Sequence, residues 1–124
     1  MLLLAMAFFA PTLAVPSDFE SRRAEAQRLE KSAEGAAYVR EYSYLVGAAM
    51  RGCVPPGSAD PANLGKFSLV ADILGNGQPY AIDVKPKTAV ASCFAGQIIR
   101  ITFPTPPNNG GKNYVVVIDM SITP

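Results

Sequence analysis

Two hydrophobic periods divide the chain. From Ala36 to Cys53, in AAYVREYSYLVGAAMRGC, Tyr38, Tyr42, Leu45, Ala49 and Cys53 recur at steps of four, three, four and four. That spacing places all five near one face of a helix. From Lys66 the period drops to two. KFSLVADIL puts Phe67, Leu69, Ala71 and Ile73 on one side, and PYAIDVKP puts Tyr80, Ile82 and Val84 on one side with Asp83 and Lys85 on the other. Gly75-Asn76-Gly77 between them is a turn signal, so the two runs predict an antiparallel hairpin. Pro79 is tolerated at the start of the second strand and Pro86 ends it. Thr88 is a candidate N-cap for a third helix whose stripe is Val90, Cys93, Phe94, Ile98 and Ile101. Phe103-Pro104 ends that helix or follows it closely. The last run, YVVVIDMSI, is the most β-prone in the chain, with Tyr114, Val116, Ile118, Met120 and Ile122 on one face.

Ahead of these lies SDFESRRAEAQRLEKSAEG, which Ser17 or Asp18 can cap. It is rich in helix formers and poor in apolar residues, so residues 15–37 are expected to form a solvated helix or loosely held arm, interrupted near Gly35. Gly52 and then Pro55-Pro56-Gly57 stop the second helix, and GSADPANLG reads as a loop. The element order is therefore α-α-β-β-α-β. The expected fold is α+β, a small antiparallel three-stranded sheet with helices packed on one face.

Residues 1–14, within MLLLAMAFFAPTLAV, are uncharged and almost wholly apolar. The run is shorter than the roughly 20 residues a bilayer span needs. Thr12-Leu13-Ala14 offers a small residue before a cleavage point, as in a secretory signal. No Lys or Arg precedes Arg22, which leaves a start further upstream open. The alternative is a buried N-terminal core helix. The export reading has the mature chain beginning near Val15, with no stable membrane span in it, in the periplasm or outside the cell.

Composition narrows the function. A chain of 124 residues supports one modest core. Net charge is +1, without the clustered basic surface of a nucleic-acid binder or a polybasic membrane-surface protein. In an oxidising compartment the two cysteines, Cys53 and Cys93, are most simply one disulfide, against the alternative of two separate buried thiols. Such a bridge closes a loop of 40 residues and is worth about 4 kcal/mol in the chain-entropy picture.

Candidate chemistry is sparse. There is no histidine to serve as general base or to complete a zinc site with two thiols, and no cofactor or metal is expected. No serine lies in a GxSxG elbow. Gly75-Asn76-Gly77 lacks the following helix that a dinucleotide loop requires. Asp72, Asp83 and Asp119 sit at polar phases of predicted strands, where strand-edge solubility explains them more simply than an acid pair does. Cys93 lacks a base and lies on a buried stripe. The tyrosine stripe reads as core packing and not as a ligand cage. No enzyme is expected. What remains is surface: a small sheet with a long apolar last strand has an edge that can dock an extended peptide.

FSLVADILGNGQPYAIDVKP, then AVASCFAGQIIRITFPTPP, then the final strand, resembles the C-terminal domain of TonB and TolA proteins over residues 38–122, and the domain is taken as 38–124. Phe67–Gly77 looks like that family's first strand and turn. The residues around Cys93 look like the cysteine-bearing helix of TolA-like domains. Phe103, Pro104, Pro106 and Pro107 look like the post-helix signature, and YVREYSYLVGAAMRGCVPP like the leading helix. The resemblance implies an envelope interaction module of Gram-negative bacteria that contacts outer-membrane or periplasmic partners, partly by pairing strands at the sheet edge. Two departures stand out: the membrane anchor and long linker of energy-transducing members are not seen here, and Cys53 precedes a loop and is not within the first strand. Tyr114, Val116, Ile118, Pro104, Pro106 and Pro107 are the expected partner-binding residues, and a dimer through the sheet edge is open. The competing reading is an inhibitor or immunity-type protein that blocks an envelope enzyme or toxin through the Pro104–Asn113 loop.

Overall fold

A computed structural model describes residues 18–54 and 65–123. Its elements are α1 (Phe19–Glu30), α2 (Ala33–Arg51), β1 (Gly65–Ile73), β2 (Pro79–Lys85), α3 (Ala89–Ile98) and β3 (Tyr114–Ile122). The fold is α+β in the order α-α-β-β-α-β, as the periodicity predicts. The signal-like residues 1–14, the Pro55–Gly57 stop and most of the loop after it lie outside the described residues.

Short polar side chains start every helix. The Asp18 carboxylate accepts the Ser21 N–H at 2.7 Å, the Ser32 hydroxyl accepts the Gly35 N–H at 2.9 Å, and the Thr88 hydroxyl accepts the Ala91 N–H at 3.1 Å. The break between α1 and α2 therefore falls at Lys31–Ser32 and not at Gly35. Gly35 is instead the third residue of α2, where a Cβ would overlap the Leu29 carbonyl. Its missing side chain lets the two helices reverse over two residues.

The sheet order is β2-β1-β3, antiparallel throughout. One face carries Phe67, Leu69, Ala71, Ile73, Val84, Tyr114, Val116 and Ile118. It packs against Tyr38, Tyr42, Val46 and Ala49 of α2 and against Val90, Ala91, Phe94 and Ile98 of α3. Edge-to-face contacts join Tyr38 to Tyr42 and Tyr114, Tyr42 to Phe103, and Phe67 to Phe94. The Cys53–Cys93 disulfide, with its Cα atoms 5.8 Å apart, ties the residues after α2 to the middle of α3, where Cys93 is exposed and not part of the buried stripe that its spacing predicts. Ile101 lies beyond the end of α3 but still packs against this core.

α1 lies on the opposite face. Ala26 is fully buried against Val70, Val115 and Val117, with Phe19 at the margin. Arg22 bridges to Asp72 at 2.9 Å and Arg23 to Asp119 at 3.2 Å. The helix expected to be a solvated arm is thus a cover for the second face of the sheet, while α2 and α3 share the first. Its apolar contact on that face is small, chiefly Ala26, with Leu29 buried in the main core near the helix end, and Arg22 and Arg23 reach down to strand carboxylates. β3 held the clue: Val115 and Val117 are apolar at the phase opposite Tyr114, Val116 and Ile118, and a strand apolar on both faces needs cover on both.

Strict alternation also fails in β2. The register with β1 shifts between Val70 and Asp72, and Ala81 has a φ of 51°. This bulge places Tyr80 opposite Asp72, on the α1 face, while Val84 stays opposite Leu69 and Ile82 packs on the main core. The segment after α3 crosses the β1–β2 turn, where the Phe103 N–H donates to the Gly77 carbonyl at 2.8 Å.

Candidate partner-binding edge

With β1 in the centre, the sheet has two edges. The β2 edge is blunted by Pro79 at its start, the bulge at Ala81, and Pro86 immediately after its end. Each feature interrupts the regular N–H and C=O ladder that a docking strand needs. β3 has none of them. It runs nine residues without a proline, in unbroken register from Tyr114 opposite Ile73 to Ile122 opposite Gly65.

Part of that edge is covered. α1 lies on one face and α2 on the other, and only Lys31 and Ser32 join them. The helical hairpin therefore straddles β3. Tyr114, Val115, Val116, Val117 and Ile118 are all buried, on both faces of the strand. From Asp119 to Ile122 every residue is exposed or half-exposed. The open edge is the last four residues of β3.

Beside this stretch lies a groove of about 220 Å³. Val117 to Met120 form its floor, Val39, Tyr42, Ser43 and Val46 of α2 one wall, and Glu30 at the end of α1 the other. The α2 wall carries no charge. Burial pushes the Glu30 carboxyl above its ordinary range, and Asp119, of the same sign, pushes it further. Asp119 itself has partners, since the Ser68 hydroxyl donates to it and Arg23 pairs with it. Glu30 has no ion pair or hydrogen bond among the described residues. On the α1 face of the same strand end is a larger hollow of about 500 Å³, lined by Arg23, Lys66, Ser68, Lys85 and Ser121 among others.

The residues expected to bind a partner are only partly brought together: Tyr114 meets Pro106 and Pro107, while Val116 and Ile118 lie apart from them. Tyr114, Val116 and Ile118 point into the main core and are 5%, 2% and 6% exposed, so only their backbone faces outward. Pro104, Pro106 and Pro107 are half-buried at the other end of β3. Pro106 and Pro107 line a hollow with Ile73, Gly75 and Tyr114, about 25 Å along the strand from Ile122. The Tyr38 hydroxyl donates to the Pro104 carbonyl at 2.7 Å and fixes the segment to α2. Burial drives the Tyr38 and Tyr42 phenols far above the ordinary tyrosine range.

The groove residues Glu30, Val39, Tyr42, Ser43, Val46 and Met120 were not singled out as a site from the sequence. Helical spacing assigns Tyr42 to the core, and composition assigns Glu30 to a solvated helix. Among the described residues no three His, Cys, Asp or Glu side chains gather in a metal-binding group, and no helix is long and apolar enough to cross a membrane. No protein-family model, curated protein or solved structure matches the chain.

Proposed function

We propose that this chain is an exported protein–protein interaction module, acting in the periplasm or outside the cell, that receives an extended segment of an envelope partner at the open end of β3. It works by binding and not by catalysis. The observation that carries this reading is the unblunted Asp119–Ile122 edge beside the apolar groove. A strand added there gains backbone hydrogen bonds from the edge and an anchoring side chain in the groove. The order of strand, glycine turn, strand, helix, Phe-Pro and closing strand agrees with the TonB/TolA-like resemblance. The disulfide suits an oxidising compartment.

The test is a crosslinking pull-down with the oxidised chain on detergent-solubilised Gram-negative envelopes. Capture of an envelope protein by the parent, lost with Met120→Glu, is the expected result. Capture unchanged by that substitution would rule out the edge.

One observation favours the inhibitor reading. The 108–113 loop is largely exposed yet internally braced, with Asn109 Nδ2 donating to the Asn113 carbonyl and the Gly110 N–H to the Asn108 side chain, both at 3.0 Å. A pre-ordered loop loses little entropy on binding. Capture of a single soluble enzyme or toxin, abolished by replacing this loop and indifferent to Met120→Glu, would shift the assignment to that reading.

A further inference from the structure

Among the described residues, Glu30 is the only side chain of either helical wall of the β3 groove that carries a charge at neutral pH. It is half-buried, and the three non-tyrosine residues facing it from α2 are Val39, Ser43 and Val46. The floor adds Asp119, whose charge Arg23 already meets at 3.2 Å. The groove therefore combines an apolar wall with one carboxylate that no cation of the described chain neutralises. A carboxylate taken partly out of water is stabilised by a cation brought to it, and an apolar wall is stabilised by covering it.

We propose that the segment docking at the β3 edge is a basic–apolar extended peptide. A lysine or arginine of the partner meets Glu30, and a neighbouring aliphatic or aromatic side chain covers Val39, Val46 and Met120. This rests on the edge-docking reading and adds the partner's chemistry to it. Backbone pairing along Asp119–Ile122 is blind to sequence, so it holds any extended chain. Selection comes from the groove: an acidic residue placed against Glu30 meets a like charge, and a polar residue leaves the apolar wall uncovered. Arg23 and Lys66, on the other face of the strand end, lie outside this groove and do not supply the missing counter-charge.

The test is selection of random nine-residue peptides displayed as a library against the full oxidised chain, with Glu30→Lys, Glu30→Gln and Met120→Glu variants as parallel baits. Circular dichroism checks that each variant is folded. The expected outcome is a pool rich in lysine or arginine at a fixed spacing from an apolar residue, with the preference turning acidic on Glu30→Lys and fading on Glu30→Gln. A synthetic peptide from the parent pool should lose about fivefold in affinity on Glu30→Gln, as for a partly exposed ion pair. Peptides that require Met120 but show no charge bias, or a bias indifferent to both Glu30 variants, would overturn this inference and leave edge docking standing. A pool with no dependence on Met120 would overturn both.

Discussion

Arg22 of α1 meets Asp72 of the central strand at 2.9 Å, with the two side chains only 13% and 14% exposed. Asn113, just ahead of β3, donates to the second oxygen of the same carboxylate at 3.1 Å. One acidic group thus ties the covering helix, the central strand and the entry to the edge strand. Asp72→Ala strands an arginine in a nearly buried place and should cost about 3 kcal/mol in urea unfolding. Replacing both partners with leucine should recover much of the loss, because the shielded charge is then gone. A double mutant as unstable as the single one would mean that the loss comes from the missing attraction of the pair and not from a stranded arginine.

Gly77 has a φ of 87°, and a Cβ there would collide with the Phe103 carbonyl. Gly77→Ala should therefore cost more than 3 kcal/mol, roughly the sum of a left-handed alanine and a broken turn contact. Gly110 has a φ of 62° with nothing near its missing side chain. Gly110→Ala should cost only about 1 kcal/mol, for conformation alone. Thermal melts of the two variants separate the crowding from the backbone term.

The Cys53–Cys93 bridge closes a 40-residue separation. Cys53→Ala with Cys93→Ala, or reduction of the parent, should lower stability by about 4 kcal/mol if the gain lies in the restricted unfolded chain. Unfolding midpoints measured with and without dithiothreitol check this. A loss below about 1 kcal/mol would show that the unfolded chain is already compact between the two positions.

Glu30 titrates above the ordinary glutamate value of 4.5 in the fold. The folded state therefore favours its neutral form. That preference stabilises the fold below pH 4.5 and is lost as pH rises through the raised folded value. At pH 7 the ionised group is a small burden. Glu30→Gln should raise the melting temperature at pH 7, by a free energy of roughly a few tenths of a kcal/mol because the site is largely solvated. The difference should vanish near pH 4. A variant less stable than the parent at pH 7 would mean that Glu30 has a stabilising partner.

Much of the candidate site was invisible in the sequence for a reason that Glu30 illustrates. Its position in a polar helix says nothing about which face of the sheet that helix covers or what it meets there. Tyr114, Val116 and Ile118 show the converse. Their alternation correctly identified a buried strand face, but the same burial removes their side chains from any partner. Met120 lies on that face too, and only its place past the end of the helical cover makes it accessible.

By itself the sequence determined the kind and order of the elements. Helical spacing in Tyr38, Tyr42 and Ala49, alternation in Phe67–Ile73 and Tyr114–Ile122, the caps Asp18 and Thr88, and the Gly75–Gly77 turn are local signals, since each depends on residues within a few positions of one another. Tertiary structure alone decided the rest. The two-residue link Lys31–Ser32 forces α1 and α2 around the β3 edge, and the bulge at Ala81 turns Tyr80 to the α1 face. Which stretch of edge stays open follows from where those distant pieces meet. Chain closure and packing set that meeting place, and no periodicity along a single strand encodes it.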